Sequence, residues 1–251
     1  MLSKEAIEYL VETGQKEVVI EAYNGGQYTP NRLHRIVEPT SSALVTHTLT
    51  SIVDYIKENA DHLEEVMVHI VSPTQVDVLS TLNNDRNREV YISAEAVIPN
   101  NLRFNSFVDA ESFNIMLQSG FINSPVEEKD DEGVRLLDYK KMLLQVTGCI
   151  KEEAIKQVGD DGVSQSATIK TGVASVEPII VPNPVMLAAY RTFQEIEQPV
   201  TKFIFRMKDG PSAALFEADG GMWKNLAIER IREYLSTELK DIHGVNVHIL
   251  A

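Results

Sequence analysis

The chain has 251 residues, 43% hydrophobic and 24% charged, with 37 acidic against 23 basic side chains and a formal charge of −14. That balance describes a globular sequence and argues against a surface built to grip a nucleic-acid backbone, which works by neutralising phosphates and releasing counterions. Cys149 is the single cysteine, so no internal disulfide forms and a reducing compartment is the expected setting.

The opening residues, MLSKEAIEYLVETG, lack the basic, apolar and small-residue succession of a secretory signal. No apolar run approaches the roughly 20 residues of a membrane span, so the expected location is the cytoplasm. Residues 3–13 read as an amphipathic helix with Ser3 as cap, Ile7, Leu10 and Val11 on one face, and Gly14 as stop. A strand is expected over Glu17–Tyr23. Residues 27–43, with two prolines and little periodicity, read as an extended arm. Tyr28, Leu33, Ile36 and Val37 give that arm apolar residues a free loop does not need, which makes them candidate contacts in an oligomer. Arg32, His34 and Arg35 are its basic cluster.

From Thr48 to Asn59 the period becomes helical, with Leu49, Ile52, Val53 and Ile56 on one side. A meander follows: Val66–Val71, Val76–Ser80 and Glu89–Val97 are strands, and Asn83–Asn87 marks the second turn. Asp109 is placed to cap a helix through Phe113, Met116 and Leu117 that ends near Gly120. Residues 123–133, with Glu127, Glu128, Asp130, Asp131 and Glu132, read as a solvated acidic loop without the ligand spacing of a calcium site. A helix is expected over Leu136–Val146. Ile150–Val158 fits a helix or a strand, with strand preferred because Gly159–Gly162 joins it to the alternating strand Val163–Ile169, and the proline-containing stretch Val176–Pro184 suits a sheet edge or a crossover.

The chain is organised around its last quarter. Strands near Tyr190, Phe203–Met207 and Ala213–Phe216 lead through Asp219-Gly220-Gly221 into a long helix. Trp223, Ala227, Ile231 and Tyr234 are expected on its buried face, and Val245–Leu250 closes the fold as a strand. These elements predict an α+β fold: a mainly antiparallel sheet from the meander and the C-terminal strands, with helices on one face. The expected division is residues 1–43 as helix, strand and arm, and 44–251 as a single domain.

Chemistry is sparse. Gly25-Gly26 and Gly220-Gly221 lack the remainder of a phosphate-binding loop, and the six histidines show no metal-binding spacing. Glu217 and Asp219, at a strand end with Lys224 nearby, are the candidate catalytic pair of a metal-dependent nuclease or phosphohydrolase. The competing reading is structural: Asp219 beside a helix start complements the helix dipole. Gln194–Pro199 is expected on a strand pair, with Arg191 and Arg206 as partners for Glu195 and Glu197. No cofactor is expected.

The order of these pieces resembles the YfdQ-like family of phage and prophage proteins, whose domain has no assigned function. The resemblance rests on Val53-Asp54-Tyr55-Ile56-Lys57-Glu58-Asn59, the meander, the Phe113 helix, Lys170-Thr171-Gly172, Ala189-Tyr190-Arg191 and the terminal Val245-x-Val247, and covers residues 44–250. The acidic stretch 123–133 departs from it. The resemblance implies a phage accessory protein of the early region, acting in the host cytoplasm, and carries over no catalytic residue. Two functions are thus expected: a non-enzymatic protein that oligomerises and binds a host or phage partner, or a carboxylate hydrolase. A third, from the charge alone, is an acidic mimic of nucleic acid. In a mobility-shift assay at physiological salt, duplex DNA is expected to show no complex; a complex that weakens steeply with added salt contradicts the charge argument.

Overall fold

Branched residues at every second position put one side of a strand into a core, and here they do so twice, in two separate sheets. The computed structural model describes residues 3–15, 20–21, 27–28, 41–59, 61–83, 86–130, 133–148, 155–160, 165–171, 174–175, 179–181, 183–208 and 212–251. The chain divides into two units, Met1–Thr40 and Ser41–Ala251.

In the first unit, α1 (Lys4–Gln15) is followed by β1 (Ile20–Glu21) and β2 (Gln27–Tyr28), an antiparallel pair. Ser3 Oγ accepts from Ala6 N, but the helix continues through Gly14, which is not its stop. Tyr28, expected on an irregular arm, lies on β2 opposite Ile20. Leu33, Ile36 and Val37, and the Arg32–Arg35 cluster, fall outside the described residues.

The second unit begins with β3 (Leu44–Thr46), α2 (Leu49–Glu58), β4 (Glu65–Ser72), β5 (Gln75–Leu79) and β6 (Val90–Glu95). Thr48 caps α2, accepting from Ser51 N, and Asn59 ends it in the left-handed conformation. Next come β7 (Val108–Asp109), α3 (Ala110–Gly120), β8 (Phe121–Ile122), the hairpin β9 (Val126–Asp130) and β10 (Gly133–Leu137), and α4 (Tyr139–Gly148). Within the acidic stretch, Val126–Asp130 and Gly133 are therefore strand and not loop, while Asp131 and Glu132 lie outside the described residues. The second strand of the hairpin takes up Leu136 and Leu137, so the helix starts at Tyr139. A smaller sheet joins β11 (Ile155–Asp160), β12 (Gln165–Thr171), β13 (Ala174–Ser175) and β14 (Ile179–Val181). The chain closes with β15 (Val185–Ala189), β16 (Val200–Lys208), β17 (Ser212–Glu217), α5 (Met222–Glu238) and β18 (Asn246–Leu250).

The fold is α+β and mostly antiparallel, as expected; the last strand, β18, pairs back onto the meander, while β15, β16 and β17 belong to a second sheet. The first five-stranded sheet has the order β18-β4-β5-β6-β3, with β18 parallel to β4 and β3 parallel to β6. Val66, Val68, Ile70, Val76, Val78 and Ile92 bury one side of it with Leu49, Ile52 and Ile56 of α2 and Ile231 and Leu235 of α5. The second has the order β7-β17-β16-β15-β8, all antiparallel. Phe203, Phe205 and Leu215 meet Phe113 and Leu117 of α3 and Leu143 of α4 in its core. Gly120 ends α3 as expected, for another reason: a Cβ there would lie 2.6 Å from Leu102 Cδ2, so the glycine admits a crossing loop.

Residues 190–199 join β15 to β16 and form no strand pair. They serve both halves: Phe193 and Ile196 enter the core of the first sheet, while Arg191 turns toward the second. Gln198 shapes the loop. Its Oε1 accepts from Arg191 N (3.1 Å) and Thr192 N (3.3 Å), and its Nε2 donates to Phe193 O (2.8 Å) and Ile196 O (3.4 Å). Gln198→Leu strips partners from two buried backbone amides, at about 1–3 kcal/mol each. In thermal melts this variant is expected to lose roughly 5–15 °C; an unchanged transition contradicts the role assigned to the amide.

Candidate functional site

Asp219 and two glycines turn the chain from β17 into α5. Gly220 (φ 64°) and Gly221 (φ 82°) are both in the left-handed region, where a side chain is strained. Asp219 Oδ1 accepts from Gly221 N (3.0 Å) and Oδ2 from Trp223 N (3.1 Å), so its carboxylate satisfies the first amides of the helix. The structural reading of Asp219 holds in detail.

Glu217 is also engaged. Its Oε1 accepts from Arg191 Nη1 at 2.6 Å, and Arg191 Nη2 donates to Thr201 Oγ1. Arg191 is only 4% exposed. Its guanidinium lies 4.1 Å from the centre of the Trp223 ring, 5.3 Å from Phe203 and 5.8 Å from Phe104. Burial lowers its pKa, and the nearby carboxylates of Glu217 and Asp219 act in the opposite direction. Its Nε–H has no hydrogen-bond partner among the described residues.

The expected pairing of Arg191 with Glu195 or Glu197 does not occur. Glu195 Oε1 accepts from Leu49 N (2.7 Å) at the start of α2, and Glu197 pairs with Arg230 at 3.3 Å. Trp223 is likewise not on the buried stripe of α5, where Ala227, Ile231 and Leu235 are. It is half-buried and stacks on Arg191 instead.

Beside this corner opens a cleft of about 500 Å³. Its far wall is the connection from β6 to β7, which carries Leu102, Arg103 and Phe104; Arg191, Trp223 and Lys224 line the near side. That connection is held by Asn105, whose N donates to Leu215 O (2.8 Å) and whose Oδ1 accepts from Glu217 N (3.1 Å). The sequence reading named Glu217, Asp219, Arg191 and Lys224 but missed Arg103 and Phe104, which lie 87 or more positions earlier in the chain. Among the described residues, no three of His, Cys, Asp and Glu gather where they could hold a metal ion, and no helix is long and apolar enough to cross a membrane. No family model matches the chain, nor does any curated protein or solved structure significantly.

Removing the negative charge at Glu217 leaves Arg191 buried and uncompensated. Glu217→Gln is therefore expected to cost about 1–3 kcal/mol, below the roughly 3–5 kcal/mol of a fully buried pair, because the Glu217 side chain is 33% exposed. Asp219→Ala should cost about 0.5–2 kcal/mol, and Trp223→Ala about 2 kcal/mol, mostly the lost cation–π stack. Chemical denaturation of the three variants checks these values; a neutral Glu217→Gln contradicts the ion-pair account.

Proposed function

We propose that this chain is a non-enzymatic accessory protein that self-assembles and captures a host or phage partner, in the phage or prophage setting implied by its YfdQ-like element order. The observation that carries this reading is the commitment of both candidate carboxylates. A hydrolase needs Glu217 and Asp219 free to bind a metal ion or activate water; one neutralises Arg191 and the other caps a helix.

Self-assembly is supported by the edges of the first sheet. Its outer strands are β3 and β18, and unpaired backbone at an edge is a template for another strand. Leu44 (56% exposed) and Val45 (68%) stand on β3, and Leu250 (50%) on β18. By their pairings β18, β4, β6 and β3 all run one way, with β5 reversed. The β3 edge of one copy can therefore meet the β18 edge of the next with parallel strands, a head-to-tail contact that builds rings or filaments. Tyr28, Leu33, Ile36 and Val37, just before β3 in sequence, are proposed as further contacts.

Light scattering is expected to give a mass several times that of one chain, with Leu44→Lys/Val45→Glu shifting it toward the monomer. A monodisperse monomer at every concentration overturns self-assembly. Loss of biological effect in a fully folded Glu217→Gln protein overturns the non-enzymatic reading.

A further inference from the structure

The cleft beside α5 has a composition that the structural roles of its members do not account for. Its volume of about 500 Å³ falls within the roughly 300–1,000 Å³ of small-molecule sites. Its lining sets three cationic side chains, Arg103, Arg191 and Lys224, against the single carboxylate of Glu217, in a chain of formal charge −14. That carboxylate is already bound to Arg191. Arg103 donates from Nη1 only to the backbone oxygens of Asn100 and Leu102. Neither Arg103 nor Lys224 forms an ion pair among the described residues.

The positive end of α5 is not the source of the attraction. Its first amides are satisfied: Met222 N donates to Asp219 O, Trp223 N to Asp219 Oδ2 and Lys224 N to Gly221 O. The pointer to a ligand is Arg191 itself. Its side chain lines the cleft, is almost fully buried, and keeps an Nε–H without a partner among the described residues. Buried donors are paired as a rule, and this one, too covered to be touched directly, leaves an unmatched positive potential in the wall that an anion in the cleft offsets. A guanidinium held by Glu217 and Thr201 is also pre-oriented, so its charge is fixed in the wall before any ligand arrives.

Two further features narrow the chemistry. A carboxylate carries one charge and leaves part of the cationic lining unmatched, whereas a phosphate monoester carries up to two with several acceptor oxygens. A bare ion fills little of the space, and Trp223, Phe104, Leu102 and Ile98 supply an aromatic and apolar wall that an ion does not use. Flat rings lie well against such a wall.

We infer that this cleft binds a nucleoside phosphate, with the phosphate oxygens taken by Arg103 and Lys224 in front of the buried Arg191 guanidinium and the base against Trp223 and Phe104. The same chemistry is offered by a free mononucleotide and by the 5′-phosphorylated end of a single strand. The inference does not depend on the proposed self-assembly, which is read out by mass and not by ligand binding.

Trp223 is the only tryptophan of the chain, so its fluorescence reports the cleft alone. The full chain is titrated with deoxyadenosine monophosphate, a 5′-phosphorylated oligodeoxyadenylate, the same strand without the phosphate, deoxyadenosine, and inorganic phosphate. A saturable change with the mononucleotide, at least about tenfold weaker for deoxyadenosine and for inorganic phosphate, is expected. Saturation by the phosphorylated strand but not by the unphosphorylated one also supports the site and assigns it to a strand end. Arg103→Glu and Lys224→Glu alter exposed side chains outside both cores. Each is expected to weaken binding about tenfold or more while the melting transition stays in place. No saturable change with either phosphorylated ligand up to about 5 mM, equal binding of deoxyadenosine, or affinity unaffected by both charge reversals overturns the inference.

Discussion

One buried amide holds the two halves of the larger unit to a common geometry. Gln198 has two donors and two acceptor sites, and all four are used within the loop that joins β15 to β16. A loop that bonds to itself in this way can pass between two cores without leaving backbone groups unpaired. It sends Phe193 and Ile196 into the core of the first sheet, and Thr192 Oγ1 donates to Pro73 O at the turn between β4 and β5. Its first residue, Arg191, faces the second sheet. The position of the cleft relative to both sheets is therefore set by the loop and not by the helices.

Burying Arg191 is costly on its own, because a desolvated guanidinium loses its water without regaining an equivalent shell. The surroundings offset this loss in two ways. Glu217 and Thr201 supply acceptors, and the guanidinium lies over three aromatic rings, whose faces are electron-rich. The arrangement draws on β16, β17, α5 and the β6–β7 connection together, so folding of the cleft and folding of the unit are one event. Glu217 is needed for that assembly before any other use of its carboxylate can be considered.

Much of this was legible locally. The Leu49, Ile52, Val53, Ile56 stripe and its Thr48 cap, the meander, and Asp109 before α3 are signals contained within about a dozen residues, and each element appears where its signal lies. What failed was anything set by tertiary partners. The division into two sheets depends on which edges the strands meet, and period-two patterning is silent on that. Charge in residues 127–132 suggested a loop, yet a two-stranded ribbon tolerates charged residues, and the backbone of Val126–Asp130 pairs with Gly133–Leu137. Trp223 fits the helical stripe by spacing, but Arg191 offers it a cation and draws it to the edge of the core. The cleft escaped for the same reason. Arg103 and Arg191 are 88 positions apart, and the connection is brought to the corner by tertiary contacts, Leu102 against Gly120 and Asn105 with Leu215 and Glu217.

The formal charge of −14 misleads when applied to a site of this size. At physiological salt the screening length is about 8 Å, so exposed carboxylates beyond that distance contribute little to the potential inside a cleft. What counts there is the nearest shell. Glu217 and Asp219 are the carboxylates acting on Arg191, and one is matched by the guanidinium while the other accepts two backbone amides. Arg103 and Lys224 therefore face the cleft with their charge uncancelled by a close partner among the described residues. A duplex must approach a broad face and meets the summed negative charge. A single phosphate entering the cleft meets the local cations. The acidity of the chain and a cationic cleft are thus compatible, and together they favour small anions over polyanions.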